Sequence, residues 1–310
     1  MNHLVENQKI IGTTSTLKKL YPEIITVGII IIGALCFPLV SKGLSYAPPF
    51  LFSGLRTLIA GISILLILPL LAQPVLPPKG TWKWILLFSI PAVVISYGTM
   101  FLSHGKPDMT IISVLENLQP LLSVFLAIIF LKEKLSPATR SVMVFGIIGV
   151  AIMSVPALTG GSMFSWSSAV LALLASLSAA VTSILVKKIK RPDAIITISA
   201  WQFIVGSIPL LLLSSLFEKN SSPQFTLLFI TILLFLAIIG TALTSAVWYV
   251  LIQKVAVSRL SILFFLLPVF GLILSKTVYR LPINLLEWVG MVTIIIGAVI
   301  GLKKQSTQQV

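Results

Sequence analysis

An all-α polytopic membrane protein, with ten transmembrane helices in two inverted five-helix repeats, is the fold class the sequence predicts. Three observations carry that expectation. Hydrophobic residues make up 57% of the 310-residue chain and charged residues only 10%, with a mean hydropathy of +1.09. A soluble domain is nearer a quarter charged, so lipid must solvate most of this chain. Apolar runs near the roughly 20 residues that cross about 30 Å of hydrocarbon recur ten times. The prolines, glycines and basic turn residues of the first half return in the same order in the second.

The N-terminal segment through Lys18 and Lys19 is polar and lacks a small-residue cleavage site, so the first run, Ile24–Leu39, is expected to stay as a span. Phe50–Leu71 carries Arg56. Trp84–Leu102 opens beside Trp82 and Trp84, which an interfacial aromatic belt explains, as it explains Trp288. Thr110–Leu131 carries Glu116, Asn117, Gln119 and Pro120. Val142–Leu158 is short and glycine-rich. Trp166–Val186, Ile195–Phe217 and Phe225–Ile252 follow. Leu260–Val278 carries Pro268, and Leu285–Leu302 is again short and rich in glycine. Little chain remains, so no soluble domain is expected. The division is a tail over 1–21, repeats over 22–158 and 159–302, and a tail over 303–310.

The formal charge is +14. In a soluble protein that would point to nucleic acid. Here the basic residues fill short gaps between apolar runs, as orientation signals and lipid-headgroup contacts do, so no nucleic-acid partner is expected. Ten spans put both termini on one side. With the N-terminus inside, inner segments hold 16 Lys and Arg and outer segments 5, with Arg56 left within a span. Cytoplasmic termini in an inner membrane follow. Cys36 has no partner for an internal disulfide and reads as apolar filler.

The repeat can be laid out residue by residue. LQPLLSVFLAIIFLKEKL at 118–135 aligns with LLPVFGLILSKTVYRLPI at 266–283. Pro120 then meets Pro268, Lys132 meets Arg280, and Gly149 later meets Gly297. Gly61 falls over Gly206. Each half holds five spans, an odd number, so the second enters the membrane upside down. Inverted repeats are a recurrent plan of secondary transporters, with the site at the shared midplane.

At this level the chain resembles the EamA-type transporters of the drug/metabolite transporter superfamily. The resemblance runs from Pro22 to Leu302. It lies in the proline-bearing fourth and ninth spans, the LKEKL turn at 131–135 and the GIIG helix at 146–149. It implies ten helices in two inverted repeats around a cavity open to one side at a time, with the fifth and tenth helices as scaffold or homodimer contacts. It implies carriage of a small polar organic metabolite, an amino acid or related compound, with export the common direction. Uptake or exchange of a larger nucleotide- or vitamin-like metabolite is the alternative. The second repeat departs from the pattern at Leu281, where the counterpart of Glu133 would stand.

Glu116 and Arg56 are the charged groups expected within spans. A carboxylate in hydrocarbon costs roughly 2.5–3.5 kcal/mol on insertion scales, so it must face a partner, a cavity or water. Each lies some six residues into an inward-running span, on the order of 9 Å deep. Three readings stay open. The two pair and hold the first repeat together; they line a substrate path, where both signs suit a zwitterion; or Glu116 exchanges protons. In the repeat alignment Glu116 falls on Phe264 and Arg56 on Trp201, so ionic groups would face ring faces across the site. Gln119, at i+3, shares the face of Glu116, whereas Asn117 diverges. Trp248 and Tyr97 are further cavity candidates, and Ser245 and Ser261 weaker ones. Pro120 and Pro268 each remove a backbone donor, which kinks the span and frees a carbonyl four residues earlier, as a hinge or as a fixed bend.

Other chemistry is not spelled out. His3 lies in the tail and His104 in an outer loop, no metal-spaced His/Cys set occurs, and no Gly-Lys-Ser/Thr loop is present. No catalytic residue, metal or cofactor is therefore expected. An intramembrane enzyme would need two or more catalytic polar groups at membrane depth.

Overall fold

The computed structural model describes residues 2–104, 115–116, 118–159, 166–189, 191–279 and 283–307. Among them there are helices and no strands. The first helix, α1 (Asn2–Gly43), runs without a break into the first span. Residues 2–21, expected as a polar tail, are thus helical. Extending a formed helix avoids the cost of nucleating one, and the first breaker-like residue, Pro22, is carried inside it. At the other end α13 (Leu285–Thr307) likewise runs past Leu302.

Between these lie α2 (Pro49–Ile67), closed by a 3-10 turn at Leu68–Leu71, and α3 (Trp82–Ser89), which passes through a π-helical stretch, Ile90–Ile95, into α4 (Ser96–His104). Next come α5 (Gln119–Leu131), α6 (Pro137–Thr159), α7 (Trp166–Lys188) and α8 (Ile195–Phe217). Helix α9 (Leu227–Ala237) joins α10 (Thr244–Lys254) through a second π stretch, Ile238–Leu243. Helix α11 (Val257–Ser261) joins α12 (Leu267–Tyr279) through a 3-10 turn, Ile262–Leu266.

Eight stretches among the described residues are long and apolar enough to cross a membrane, and Gln119–Leu131 and Leu285–Gly301 are shorter apolar helices. The fourth expected run is described as a 13-residue helix from Gln119, with 110–114 outside the described residues.

Two pairs dominate the packing, α2 with α8 and α6 with α13. Each joins a helix of the first half to its counterpart in the second. Both contacts run through glycine. A Cβ on Gly61 would stand 2.8 Å from the Ala200 carbonyl, and one on Gly149 would stand 2.8 Å from the carbonyl of Gly290. Gly290 in turn faces the Gly149 carbonyl at 2.6 Å on the same measure. Small residues let helix backbones approach where no hydrophobic force separates them from lipid. An aromatic knot of Phe52, Phe101 and Phe229, with centroids 5.0 and 5.2 Å from Phe52, fills one end of the bundle.

Helix starts are capped across the two halves. After α5, Lys132 takes a left-handed conformation (φ 55°) and the Glu133 amide returns to the Ala127 carbonyl. That reversal turns Glu133 toward α11, where its two oxygens accept from the amides of Val257 and Ser258 at 2.9 Å each. Glu218, after α8, does the same for Phe50 and Leu51 of α2 at 2.8 and 3.0 Å. A carboxylate satisfies two orphan donors and complements the positive helix end.

Candidate functional site

The π and 3-10 interruptions surround a cavity of about 220 Å³. That falls below the range of drug-sized pockets and suits a small metabolite. Both halves contribute. Tyr97 and Ser96 come from α4 and Gln119 from α5; Thr182 and Ser183 come from α7, Trp248 from α10 and Phe264 from the 3-10 turn. Trp248 stands edge-on to Phe264, centroids 5.1 Å apart, and its indole N–H donates to Ser183 at 3.3 Å. The wall holds rings, hydroxyls and one amide, and no ionised side chain is among the described lining residues.

Of the residues expected in the site, Gln119, Tyr97, Trp248, Phe264 and Ser245 line this cavity. Trp201 does not. It lies at the end of the bundle, its indole N–H bonded to the Val75 carbonyl at 2.9 Å and its ring packed on Trp82. The repeat alignment placed it by register, but α8 turns that face toward the 72–81 connection and away from the centre. Ser261 is buried outside the cavity lining. Asn117 and Leu281 lie outside the described residues.

Arg56 does not pair with Glu116. Its Nε donates to Thr241 Oγ1 at 2.8 Å and its Nη2 to the Gly240 carbonyl at 3.3 Å. Both acceptors sit in the second π stretch. There the Thr241 hydroxyl also donates to the Leu236 carbonyl, five residues back, filling an acceptor the widened turn leaves open. The rings of Tyr97 and Phe101 flank the guanidinium at 5.2 and 5.7 Å. Arg56 is 3% exposed and stands directly behind the cavity wall that Tyr97 forms. Glu116 is half-buried at the start of the fourth span.

The two prolines hold equivalent places. Each is the second residue of a 13-residue helix, Pro120 in α5 and Pro268 in α12. In the first turn of a helix the missing N–H breaks no bond within that helix. The carbonyls expected to be freed at Glu116 and Phe264 are not open to a ligand. Ser176 Oγ donates to the Leu115 and Glu116 carbonyls at 3.1 and 3.3 Å. The Phe264 carbonyl accepts from the Leu267 amide in the 3-10 turn.

Comparison with known proteins agrees with this architecture. The model of the EamA-like transporter family matches the chain twice, over residues 21–155 and 166–302. The chain belongs to the EamA-like transporter family. Among relatives, it is 28% identical over 283 residues to "Uncharacterized transporter YvbV" of Bacillus subtilis, covering 91% of each chain. It is 26% identical over 284 residues to a "Probable amino-acid metabolite efflux pump" of Salmonella typhimurium, covering 88% of this chain and 92% of that one. A crystal structure sharing 19% identity superposes with a TM-score of 0.77 over 90% of this chain and 96% of the other.

In this EamA chain the cavity draws on both matched segments. Several of its residues were not singled out by sequence: Thr182, Ser183, Thr244, Phe203 and Tyr249, the last backed by Gln202. Gln202 is fully buried and donates to the Tyr249 hydroxyl at 2.6 Å behind the wall. A lone amide in an apolar run was the available signal for Gln202. The hydroxyl residues carried none, since a serine or threonine in a membrane helix usually bonds its own backbone. Thr182 and Thr244 do so, to the Ser178 and Gly240 carbonyls.

Proposed function

We propose that this EamA-family chain is a secondary carrier that moves a small polar organic metabolite, an amino acid or related compound, out of the cell across the inner membrane by alternating access. The observation that carries this reading is a small cavity whose wall is split between the two matched segments. Tyr97 and Gln119 on one side, and Trp248 and Phe264 on the other, come from halves that can move relative to each other, so one set of contacts can face either side. Glu116 and Arg56 belong to the same path, and Pro120 and Pro268 mark where α5 and α12 pivot. The relative named as an amino-acid metabolite efflux pump supports the substrate class and direction. The excess of Lys and Arg in the segments holding 79–83, 132–140, 187–191 and 254–259 supports cytoplasmic termini. The outward apolar faces of α6 and α13, with Ile147, Ile148, Ile295 and Ile296 exposed, are where lipid or a second copy would pack. The rings of Trp248 and Phe264 favour a second reading, stacking of a planar nucleotide- or vitamin-like compound, but the volume favours the smaller one.

The test is efflux from vesicles of purified protein loaded with a labelled amino-acid mixture. Amino acids should leave protein-bearing vesicles and not protein-free ones, and Trp248→Ala should cut the rate about tenfold or more through the lost ring contact. Retention of every loaded amino acid with export of none would sink the reading. A proton gradient that drives the wild type but not Glu116→Gln would assign Glu116 the coupling role.

A further inference from the structure

We propose that Arg56 is the group that takes the carboxylate of the carried metabolite, so that the substrate must bear a free carboxylate. The inference rests on the carrier reading above and names the substrate class of the same site.

Four observations carry it. First, the guanidinium is buried and has no carboxylate partner among the described residues. Its surroundings are Thr241, the Gly240 carbonyl, the Cys36 thiol and two rings, none of them a carboxylate. Second, its Nη1 is fully buried and has no hydrogen-bond partner among the described residues. A buried ion left without a counter-charge is costly, and within a membrane such a group is kept for what it binds. Third, the group lies well inside the apolar layer. Arg56 is the eighth residue of the 23-residue apolar stretch Pro49–Leu71, and its acceptors Gly240 and Thr241 sit halfway along the 28-residue stretch Leu227–Lys254. Fourth, the charge is one layer from the cavity. Tyr97 lines the cavity and stacks on the guanidinium at 5.2 Å, and Thr244, also in the lining, shares the Gly240 carbonyl with Arg56.

The geometry is that of a fork half used. Nε and Nη2 are fixed by the π stretch of the second repeat, which points the planar group, while Nη1 keeps a donor free for an oxyanion. A shift of the Tyr97 ring, which lies between cavity and charge, opens that donor to the ligand. Ring and amide contacts from Trp248, Phe264 and Gln119 then hold the remainder of the molecule.

The experiment compares matched pairs of ligands by thermal shift of the detergent-solubilised full chain. The probes are the common amino acids and small mono- and dicarboxylic acids at millimolar concentration, each beside its methyl ester or primary amide, with sodium chloride and sodium sulfate as inorganic arms. At least one free acid should raise the melting temperature while its ester or amide does not. Arg56→Gln and Arg56→Lys, read the same way, should weaken that acid about ten- to a hundredfold. Acid and ester acting equally would overturn the proposal even if neither variant folds. So would sulfate or chloride matching the best acid, which would make Arg56 an inorganic-ion site. Stabilisation by no acid at all would overturn it too, and efflux of an uncharged or cationic compound from vesicles would then leave the carrier reading standing alone.

Discussion

The pair α6–α13 and the interrupted helices around the cavity, α3–α4 and α9–α10, are all apolar, yet they solve opposite problems. Along α6–α13 both helices are regular, and Gly149 and Gly290 bring each backbone against the other's carbonyl. Around the cavity the helices are interrupted instead. Two π stretches, at Ile90–Ile95 and Ile238–Leu243, occupy equivalent places in the two halves, and a 3-10 turn precedes α12. Regular helix satisfies its own backbone and leaves only surface to pack. Widened turns free carbonyls, and at the second π stretch the side chains of Thr241 and Arg56 collect there. The lesson is that the irregular stretches hold a buried charge through side chains and freed carbonyls, while glycine sets the closest approach of regular helices.

The largest expected effect breaks the glycine side of that contrast. Gly149→Val would place a Cβ 2.4 Å from Ile294 Cγ1 and 2.8 Å from the Gly290 carbonyl, with backbone on one side that cannot move away. Overpacking costs about 1–3 kcal/mol in well-packed cores, and more where backbone is met. Folded yield of the membrane fraction should collapse, and Gly290→Val should do the same. Gly271 is the matched control, because a Cβ added there would meet nothing within 4 Å, and Gly271→Ala should fold normally.

The irregular side is sharpened by Thr241→Val. The change removes the acceptor for Arg56 Nε and the donor to the Leu236 carbonyl at once, while keeping shape. Leaving buried polar groups unmet costs about 1–3 kcal/mol each. A melting temperature several degrees lower is expected, with fold retained. Thr293→Val on the outer side of α13, where the hydroxyl only bonds the Val289 carbonyl, should change little. Equal effects from the two would mean that irregular backbone confers no special dependence on its side chains.

A smaller effect separates the two carboxylate caps. Glu133→Gln and Glu218→Gln each lose one acceptor and a charge at a helix start, and each should cost about 1 kcal/mol in thermal stability. Their consequences for transport should diverge. Glu218 caps α2, a regular 19-residue helix in a glycine-packed pair. Glu133 caps five residues of α11 that lead straight into the 3-10 turn bearing Phe264. Transport rates in vesicles should change with Glu133→Gln and stay near wild type with Glu218→Gln.

How much of the fold and the site is legible in the sequence divides along the same line. The apolar runs specify the helices because length and hydropathy alone decide what crosses lipid, and Pro120, Pro268 and the glycines of the fifth and tenth runs mark the right helices. The π stretches are not legible. Pro91 and Gly240 sit in them, but nothing in a one-dimensional pattern says whether a helix absorbs such a residue as a kink or as a widened turn. Without that, Arg56 can be given a charged partner or a place on a substrate path, and the threonine and carbonyl that hold it stay hidden. Trp201 fails for a related reason: the repeat register gives a position along a helix, and the face it presents depends on neighbours.

The smallest effect belongs to a region outside both kinds of packing. Arg191 and Asp193, in the connection between α7 and α8, make a forked ion pair with Nε and Nη2 each 3.1 Å from a carboxylate oxygen, and both are exposed. The hydrogen bond from Arg191 holds the Asp193 carboxyl below its ordinary value of 3.8. A lowered carboxyl contributes stability that is present above the unfolded-state value and lost as pH falls through the folded one, so any contribution is complete at neutral pH and disappears only below about pH 3.8. Water and salt screen so exposed a pair, and Asp193→Asn should leave the melting temperature at pH 7 unchanged. A fall as large as that of Thr241→Val would mean that charge at the surface matters as much as polarity in the bundle, and the contrast between glycine-packed and irregular helices would no longer account for where this transporter's stability resides.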